Sequence, residues 1–146
     1  MSDVSSVISG SEDTTLRVWN IESGSCLHIL GGHEGMITCL VSHGDHVSSG
    51  NDDQCVRVWN ISNGQCVHKL EAATGLIYSM TYSDEGKYII AGGTDGTVNL
   101  WDFGDGYVSQ SFIFPASVPR LLCGYALHCH IFFHRMKSCL YRMLVK

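Results

Sequence analysis

The fold is decided by residues 49–70, which read SGNDDQCVRVWNISNGQCVHKL. In Cys55–Trp59 apolar and polar side chains alternate, and clusters of Gly, Asn, Asp and Ser interrupt the pattern on both sides. A period of two predicts β-strands, because the apolar residues of a surface helix recur every three or four positions instead. This stretch is therefore expected to be strand, tight turn and strand.

The same pattern occurs three times. Residues 9–30, SGSEDTTLRVWNIESGSCLHIL, align on 49–70 without a gap, and residues 91–112, AGGTDGTVNLWDFGDGYVSQSF, align more loosely. A repeat of about 40 residues that holds four antiparallel strands is typical of one blade of a β-propeller. The recurring anchors are three tryptophans and three turn aspartates: Trp19, Trp59 and Trp101, with Asp13, Asp53 and Asp95.

The middle repeat is complete, and its turn residues set the expected strand limits. We predict strands near 36–41, 45–50, 55–60 and 65–70, with turns at Ser42–Gly44, Asn51–Asp53 and Ser62–Gly64. The chain then divides into a partial first blade with its connecting loop at 1–33, a second blade at 34–73, a third blade at 74–114 and a tail at 115–146. The last strand of the third blade is expected between Gly106 and Phe114.

These residues resemble the WD-repeat family. The second repeat carries Gly32-His33 and Trp59-Asn60, and the third ends in Trp101-Asp102, the dipeptide that names the family. The resemblance covers residues 4–112. It implies an all-β fold, an incomplete propeller of about 2.5 to 3 four-stranded antiparallel blades, followed by a tail outside the repeat.

In that family a buried, hydrogen-bonded tetrad ties the strands of each blade together, and the resemblance assigns it here to His33, Ser49, Asp53 and Trp59. A histidine, a serine and an aspartate also suit a catalytic triad, but no GxSxG turn accompanies them. We interpret the tetrad as structural. The matching residues in the other repeats are Asp13 and Trp19 in the first and Asp95 and Trp101 in the third.

The third repeat departs from the family pattern. Ala73 stands where the histidine belongs and Ala91 where the serine belongs. We therefore expect Asp95 and Trp101 to lack two of their partners. The first repeat has no upstream histidine, so the middle repeat alone carries a complete tetrad.

Charge separates the body from the tail. All 14 acidic residues precede residue 106, whereas five of the nine basic residues lie in the last 27 positions. An acidic body argues against a nucleic-acid partner, because such partners require clustered Lys and Arg. Without a signal-peptide pattern or a long apolar run, we expect a soluble protein of the cytoplasm or nucleus. Four cysteines are expected to be reduced, buried thiols: Cys26, Cys39, Cys55 and Cys66.

Fewer than three blades do not close a ring, because known propellers use about four to eight. Open sheet faces and edges favour either a fragment or shortened form of a longer protein, or a ring completed by other chains.

The tail allows three interpretations. It is sequence from outside the repeat, as splicing or read-through would give, or a basic amphipathic helix lying on a membrane surface, or a zinc site whose spacing matches no finger pattern. The helix would use Leu121, Leu122, Tyr125, Ile131, Phe132 and Phe133, and the zinc site Cys123, His128, Cys129, His130, His134 and Cys139.

Function in such folds lies on loops, which a rigid scaffold positions. The second repeat resembles F-box WD-repeat substrate receptors, a group that grips phosphorylated peptides with arginines. Here the corresponding turn positions hold Glu12 and Asp52, which would repel phosphate. A basic peptide suits the acidic loops better. The candidate partner-binding residues are Glu12, Asp45, Asp52 and Asp84.

The sequence therefore favours a non-catalytic protein-interaction scaffold in a larger assembly, with no catalytic residue, cofactor or metal. The alternatives are a substrate receptor or adaptor in ubiquitin ligation or transcription-complex assembly, and a shortened competitor of a longer relative.

Overall fold

The computed structural model describes residues 6–71 and 75–113. Within these ranges the chain forms three antiparallel sheets in which each strand pairs with the next along the chain. The all-β, incomplete propeller predicted from the sequence is confirmed. The first sheet contains β1 (Ser6–Gly10), β2 (Leu16–Asn20) and β3 (Cys26–Leu30); the second β4 (Ile37–His43), β5 (His46–Asn51), β6 (Val56–Asn60) and β7 (Cys66–Leu70); the third β8 (Ile77–Tyr82), β9 (Tyr88–Gly93), β10 (Thr97–Asp102) and β11 (Val108–Ile113).

The strands lie within about two residues of their predicted limits, with corrections at two turns of the second sheet. Asn51, predicted to begin the second turn, is the last residue of β5 and pairs with Ile37. Ser42 and His43 pair with Val47 and His46 in the ladder, so the turn is Gly44–Asp45 and not Ser42–Gly44. A two-residue hairpin turn needs a positive φ, which Gly44 supplies at 55°. Ala73, Phe114 and the tail 115–146 lie outside the described residues.

The sheets pack face to face through two apolar clusters. Between the first and second sheets, Leu16 and Val18 of β2 pack on Val47 and Trp59. Between the second and third, the corresponding Val56 and Val58 of β6 belong to a cluster with Ile89 and Trp101. The joint between neighbouring sheets is thus repeated along the chain, as the sequence repeat requires.

The repeated Ser-Gly pair has a separate packing role at each joint. A Cβ on Gly10 would lie 2.5 Å from Cγ2 of Ile37, and a Cβ on Gly50 would lie 2.6 Å from Cγ2 of Ile77. No larger residue fits there without moving the neighbouring strand. The glycine therefore sets how closely the inner strand of the next sheet approaches.

The expectation that all four body cysteines are buried is wrong for two of them. Cys26 and Cys66 are exposed, whereas Cys55 is buried and Cys39 is half-buried. The two exposed thiols begin β3 and β7, which are the edge strands of their sheets and have one neighbouring strand each. The apolar residues around these cysteines indicate a strand. The exposure of each cysteine depends instead on the position of that strand at the edge of its sheet.

Candidate functional site

The turn between β5 and β6 places the Asp53 carboxylate between two loops. Gln54 adopts a left-handed conformation with φ 71°, which reverses the chain within one turn. Oδ1 of Asp53 accepts the Cys55 amide at 3.1 Å, and Oδ2 accepts the Glu34 amide at 2.9 Å. The carboxylate therefore ties the turn to the loop that leads into β4.

His33, Ser49 and Trp59 form a buried hydrogen-bonded chain beside that turn. The indole Nε1–H of Trp59 donates to Ser49 Oγ at 2.8 Å, and His33 Nε2 lies 2.7 Å from the same oxygen. His33 Nδ1 lies 3.6 Å from Oδ2 of Asp53. All four predicted tetrad residues are thus brought together. Ser49 is fully buried and its Oγ contacts His33, Trp59 and the Arg57 carbonyl, so its hydroxyl is not accessible to a substrate.

The charge states follow from these surroundings. Burial lowers the pKa of His33, which favours the neutral imidazole. Burial alone would raise the pKa of Asp53, but hydrogen bonds from Cys55 and Glu34 outweigh it and hold that pKa well below its usual range. Burial raises the pKa of the Cys55 thiol to about 12. The site therefore holds a neutral histidine, a carboxylate and a protonated thiol.

The first repeat keeps part of this arrangement at the surface. Trp19 Nε1 donates to Ser9 Oγ at 2.9 Å. Hydrogen bonds from Thr15 lower the pKa of Asp13 to about 2, and Arg17 pairs with Asp13 at 2.8 Å. The turn aspartate is therefore held by its own repeat.

In the third repeat, where the serine is absent, the tryptophan has a different hydrogen-bond acceptor. Ala91 occupies the position of Ser49, so the Trp101 indole has no hydroxyl to bond. Nε1 of Trp101 donates instead to the backbone carbonyl of Glu71 at 3.1 Å, and the ring is fully buried. Asp95 accepts the amide and hydroxyl of Thr97. The missing side-chain acceptor is replaced by a backbone one.

The four candidate partner-binding acids do not form one surface. Glu12 and Asp52 lie at the turns that follow β1 and β5, which we call the aspartate-turn end of the sheets. Asp45 and Asp84 lie in the hairpins β4–β5 and β8–β9, at the opposite, hairpin end. Successive turns of an antiparallel sheet alternate between its two ends, which separates these pairs.

At the hairpin end the second and third sheets lie side by side. A Cβ on Gly86 would overlap the imidazole of His43, so the hairpins that carry Asp45 and Asp84 are adjacent. Phe103 lies beneath them, with its ring centroid 5.0 Å from that of His46. Exposed carboxylates thus border a patch of imidazole and aromatic rings.

A groove of about 700 Å³ opens at the same end, between the first and second sheets. Its wall combines apolar side chains with polar ones, among them Ile8, Leu27, His28, Asp45 and Ile61. Sequence reasoning did not find this groove, because its walls come from two repeats and the space depends on how the sheets pack.

The described residues contain no helix of sufficient length and hydrophobicity to span a membrane.

The chain matches the family model described as WD domain, G-beta repeat, over residues 1–20, 24–60 and 64–102. Mitogen-activated protein kinase kinase kinase A of Dictyostelium discoideum is 48% identical over 114 residues, which are 73% of this chain and 12% of that protein. F-box/WD repeat-containing protein 10 of Homo sapiens is 50% identical over 34 residues, 23% of this chain and 3% of that protein. Cell division control protein 4 of Saccharomyces cerevisiae is 47% identical over 34 residues, 23% of this chain and 4% of that protein.

Among solved structures, the computationally designed Ika8 protein superposes with a TM-score of 0.70 and 32% identity, over 77% of this chain and 34% of that one. The chain thus spans a small part of the length of each of these relatives, at most 12% for the curated proteins named above.

Proposed function

Because the chain belongs to the WD-repeat family, we propose that it acts as a non-catalytic scaffold that docks other proteins within an intracellular assembly, in the cytoplasm or nucleus. The observation that carries the proposal is the hairpin end, where the exposed Asp45 lines a groove of about 700 Å³ and the adjacent hairpin carries the exposed Asp84. Grooves and loops held by rigid sheets are where such scaffolds recognise partners.

Charge favours a basic partner at this end. Among the described residues, the hairpin end has one basic side chain, Lys87, against six carboxylates: Glu22, Asp45, Asp84, Glu85, Asp102 and Asp105. A surface of one sign attracts the opposite sign and accelerates association.

The aspartate-turn end is less suited to a basic partner. Asp13 already pairs with Arg17, and Lys69 pairs with Glu71 at 2.8 Å. The Asp53 carboxylate is occupied by backbone amides of its own fold. Much of the negative charge at that end is therefore neutralised or engaged within the chain.

The groove wall adds an apolar requirement. Ile8 and Ile61 both line the groove between the first two sheets, and Leu27, another lining residue, is exposed. A partner segment that combines Lys or Arg with Leu or Phe would match both features.

The test is binding of a fluorescein-labelled peptide of alternating lysine and leucine, followed by fluorescence polarisation. D45N/D84N should weaken binding about tenfold, and raising the salt should do the same, because exposed charges are screened. The matched control E12Q/D52N removes two charges at the opposite end and should leave affinity unchanged. Equal losses in both variants, or binding that ignores salt, would contradict the proposal.

A second candidate is a substrate-receptor or adaptor role in ubiquitin ligation. It is supported by the names of F-box and WD-repeat relatives that match 34 residues of the chain. A role in transcription-complex assembly, or as a shortened competitor of a longer relative, would use the same surface. Failure of the chain to displace such a longer protein from a shared partner would remove the competitor role.

A further inference from the structure

Cys55 differs from the residues at the same position in the other two turns. Thr15 and Thr97 follow their turn aspartates by two residues, and their hydroxyls donate to Asp13 and Asp95 at 2.6 and 2.7 Å. Cys55 holds this position after Asp53. The middle turn thus has a thiol where the other two turns have a hydroxyl. Among the described residues, it is also the only one of the three turns with a histidine beside it.

The thiol, the imidazole and the carboxylate converge. Cys55 Sγ lies 3.7 Å from His33 Nδ1, and His33 Nδ1 lies 3.6 Å from Oδ2 of Asp53. The three ligand atoms all lie within 4.8 Å of one another. Zinc bonds of about 2.3 Å to sulfur and about 2.0–2.2 Å to nitrogen and oxygen, at tetrahedral angles, separate neighbouring ligands by roughly 3.3–3.6 Å. The two distances that involve His33 are close to that spacing.

The hydrogen bonds of His33 leave the correct nitrogen available. His33 Nε2 lies 2.7 Å from Ser49 Oγ, which also accepts the Trp59 indole, so Nδ1 is the ring nitrogen that faces the thiol and the carboxylate. When a metal binds Nδ1, the neutral imidazole carries its proton on Nε2 and donates it to Ser49 Oγ. A ligating histidine is usually oriented in this way through its second nitrogen.

We propose that His33, Asp53 and Cys55 form a binding site for a thiophilic divalent cation of the zinc class. Nδ1, Oδ2 and Sγ supply three ligands, and a carboxylate with a thiolate neutralises the two positive charges of the ion, as a buried site requires. The thiol releases its proton to solvent when the metal binds.

A hollow of about 220 Å³ adjoins two of the three ligands and is lined by Asp53 and Cys55 together with Gln54, Arg57 and Lys69. This opening gives the ion a path to the otherwise buried cluster. No sequence motif indicates this site, because two ligands come from one turn and the third from a loop that precedes β4.

The test uses cobalt(II) as a spectroscopic substitute for zinc, titrated into the reduced 146-residue chain. We expect one equivalent to produce a thiolate-to-cobalt absorption band. C55T, which introduces the threonine found at this position in the other two turns, should lose the band while far-UV circular dichroism stays unchanged. C55S serves as a second variant if the threonine perturbs the fold.

The tail also contains cysteines, so C123S/C129S/C139S in the full chain is the second control, and it should keep the band. Zinc should raise the Tm of the unsubstituted chain and not that of C55T. Absence of a band in the unsubstituted chain would overturn the proposal. A band that persists in C55T would also overturn it, as would loss of the band when the tail cysteines are replaced.

Discussion

The first and second sheets carry aligned sequences and differ in what precedes them. Val7 and Val47 occupy the same repeat position, yet Val7 is 51% exposed and Val47 is 1% exposed. Ile21 is 56% exposed, whereas its counterpart Ile61 packs against the cluster between the two sheets. The described residues place a sheet in front of the second but none in front of the first. The repeat therefore encodes the strand, whereas the neighbouring sheet determines how far the strand is buried.

The tryptophans extend this comparison. Trp59 is buried and bonded to a buried serine, whereas Trp19 is half-buried and bonded to an exposed one. The same side-chain pair is therefore part of the core in one sheet and part of the surface in the other. Stability should depend on it very differently in the two places.

Replacing Trp59 by alanine should have the largest effect. We expect a loss of about 3–5 kcal/mol in the free energy of unfolding, because a buried aromatic ring is removed. Trp19→Ala, the matched change in the first sheet, should cost less than half as much. Urea unfolding of both variants measures the difference. Equal losses would show that the two tryptophans contribute equally to stability despite their different burial.

Exchanging the serine of the second sheet and the alanine of the third tests how each tryptophan indole is hydrogen-bonded. Ser49→Ala removes the acceptor of the Trp59 indole and the partner of His33, so we expect a loss of about 2–3 kcal/mol. Ala91→Ser should not stabilise the third sheet, because the Trp101 indole already has the Glu71 carbonyl.

The added hydroxyl at position 91 would be buried, and we expect it to cost about 1 kcal/mol. Chemical unfolding of the two single variants is the measurement. A gain of stability in Ala91→Ser would show that the backbone acceptor is a poor substitute for the tetrad.

The smallest effect concerns pH. Burial holds the pKa of folded His33 below its unfolded value of about 6.5. As the pH falls below that value, the unfolded chain binds a proton that the folded chain does not, so stability decreases until the folded pKa is reached. The slope from this one group is at most about 1.4 kcal/mol per pH unit.

His33→Gln keeps an amide donor for Ser49 but cannot titrate, so it should lose this part of the slope. Stability measured between pH 8 and pH 5 in the two proteins isolates His33 from the other histidines. Identical slopes would show that His33 is not held neutral by the fold.

Much of this fold was readable from the sequence. The period of two in the strands and the 40-residue spacing of Trp19 and Trp59 predicted the sheets, their order and most turns. The residues of the tetrad followed from the family resemblance, and the structure brings His33, Ser49 and Asp53 together as a local consequence of one turn and one loop.

What the sequence did not reveal depends on contacts between repeats. The Glu71 carbonyl that accepts the Trp101 indole is a backbone atom and leaves no residue-type signal. The separation of Asp45 and Asp52 by the length of a strand follows from which turn each occupies, and both look alike as acids in loops. The exposure of Cys26 follows from its place on an edge strand.

The most direct test of the central comparison is hydrogen exchange of the three tryptophan indole N–H groups, observed by NMR. All three tryptophans lie in the described residues, and each indole has an acceptor in the structure. We expect slow exchange for Trp59 and Trp101, which are buried, and fast exchange for Trp19 on the open face of the first sheet. Protection of Trp19 equal to that of Trp59 would contradict it, because that face would then be covered as fully as the others.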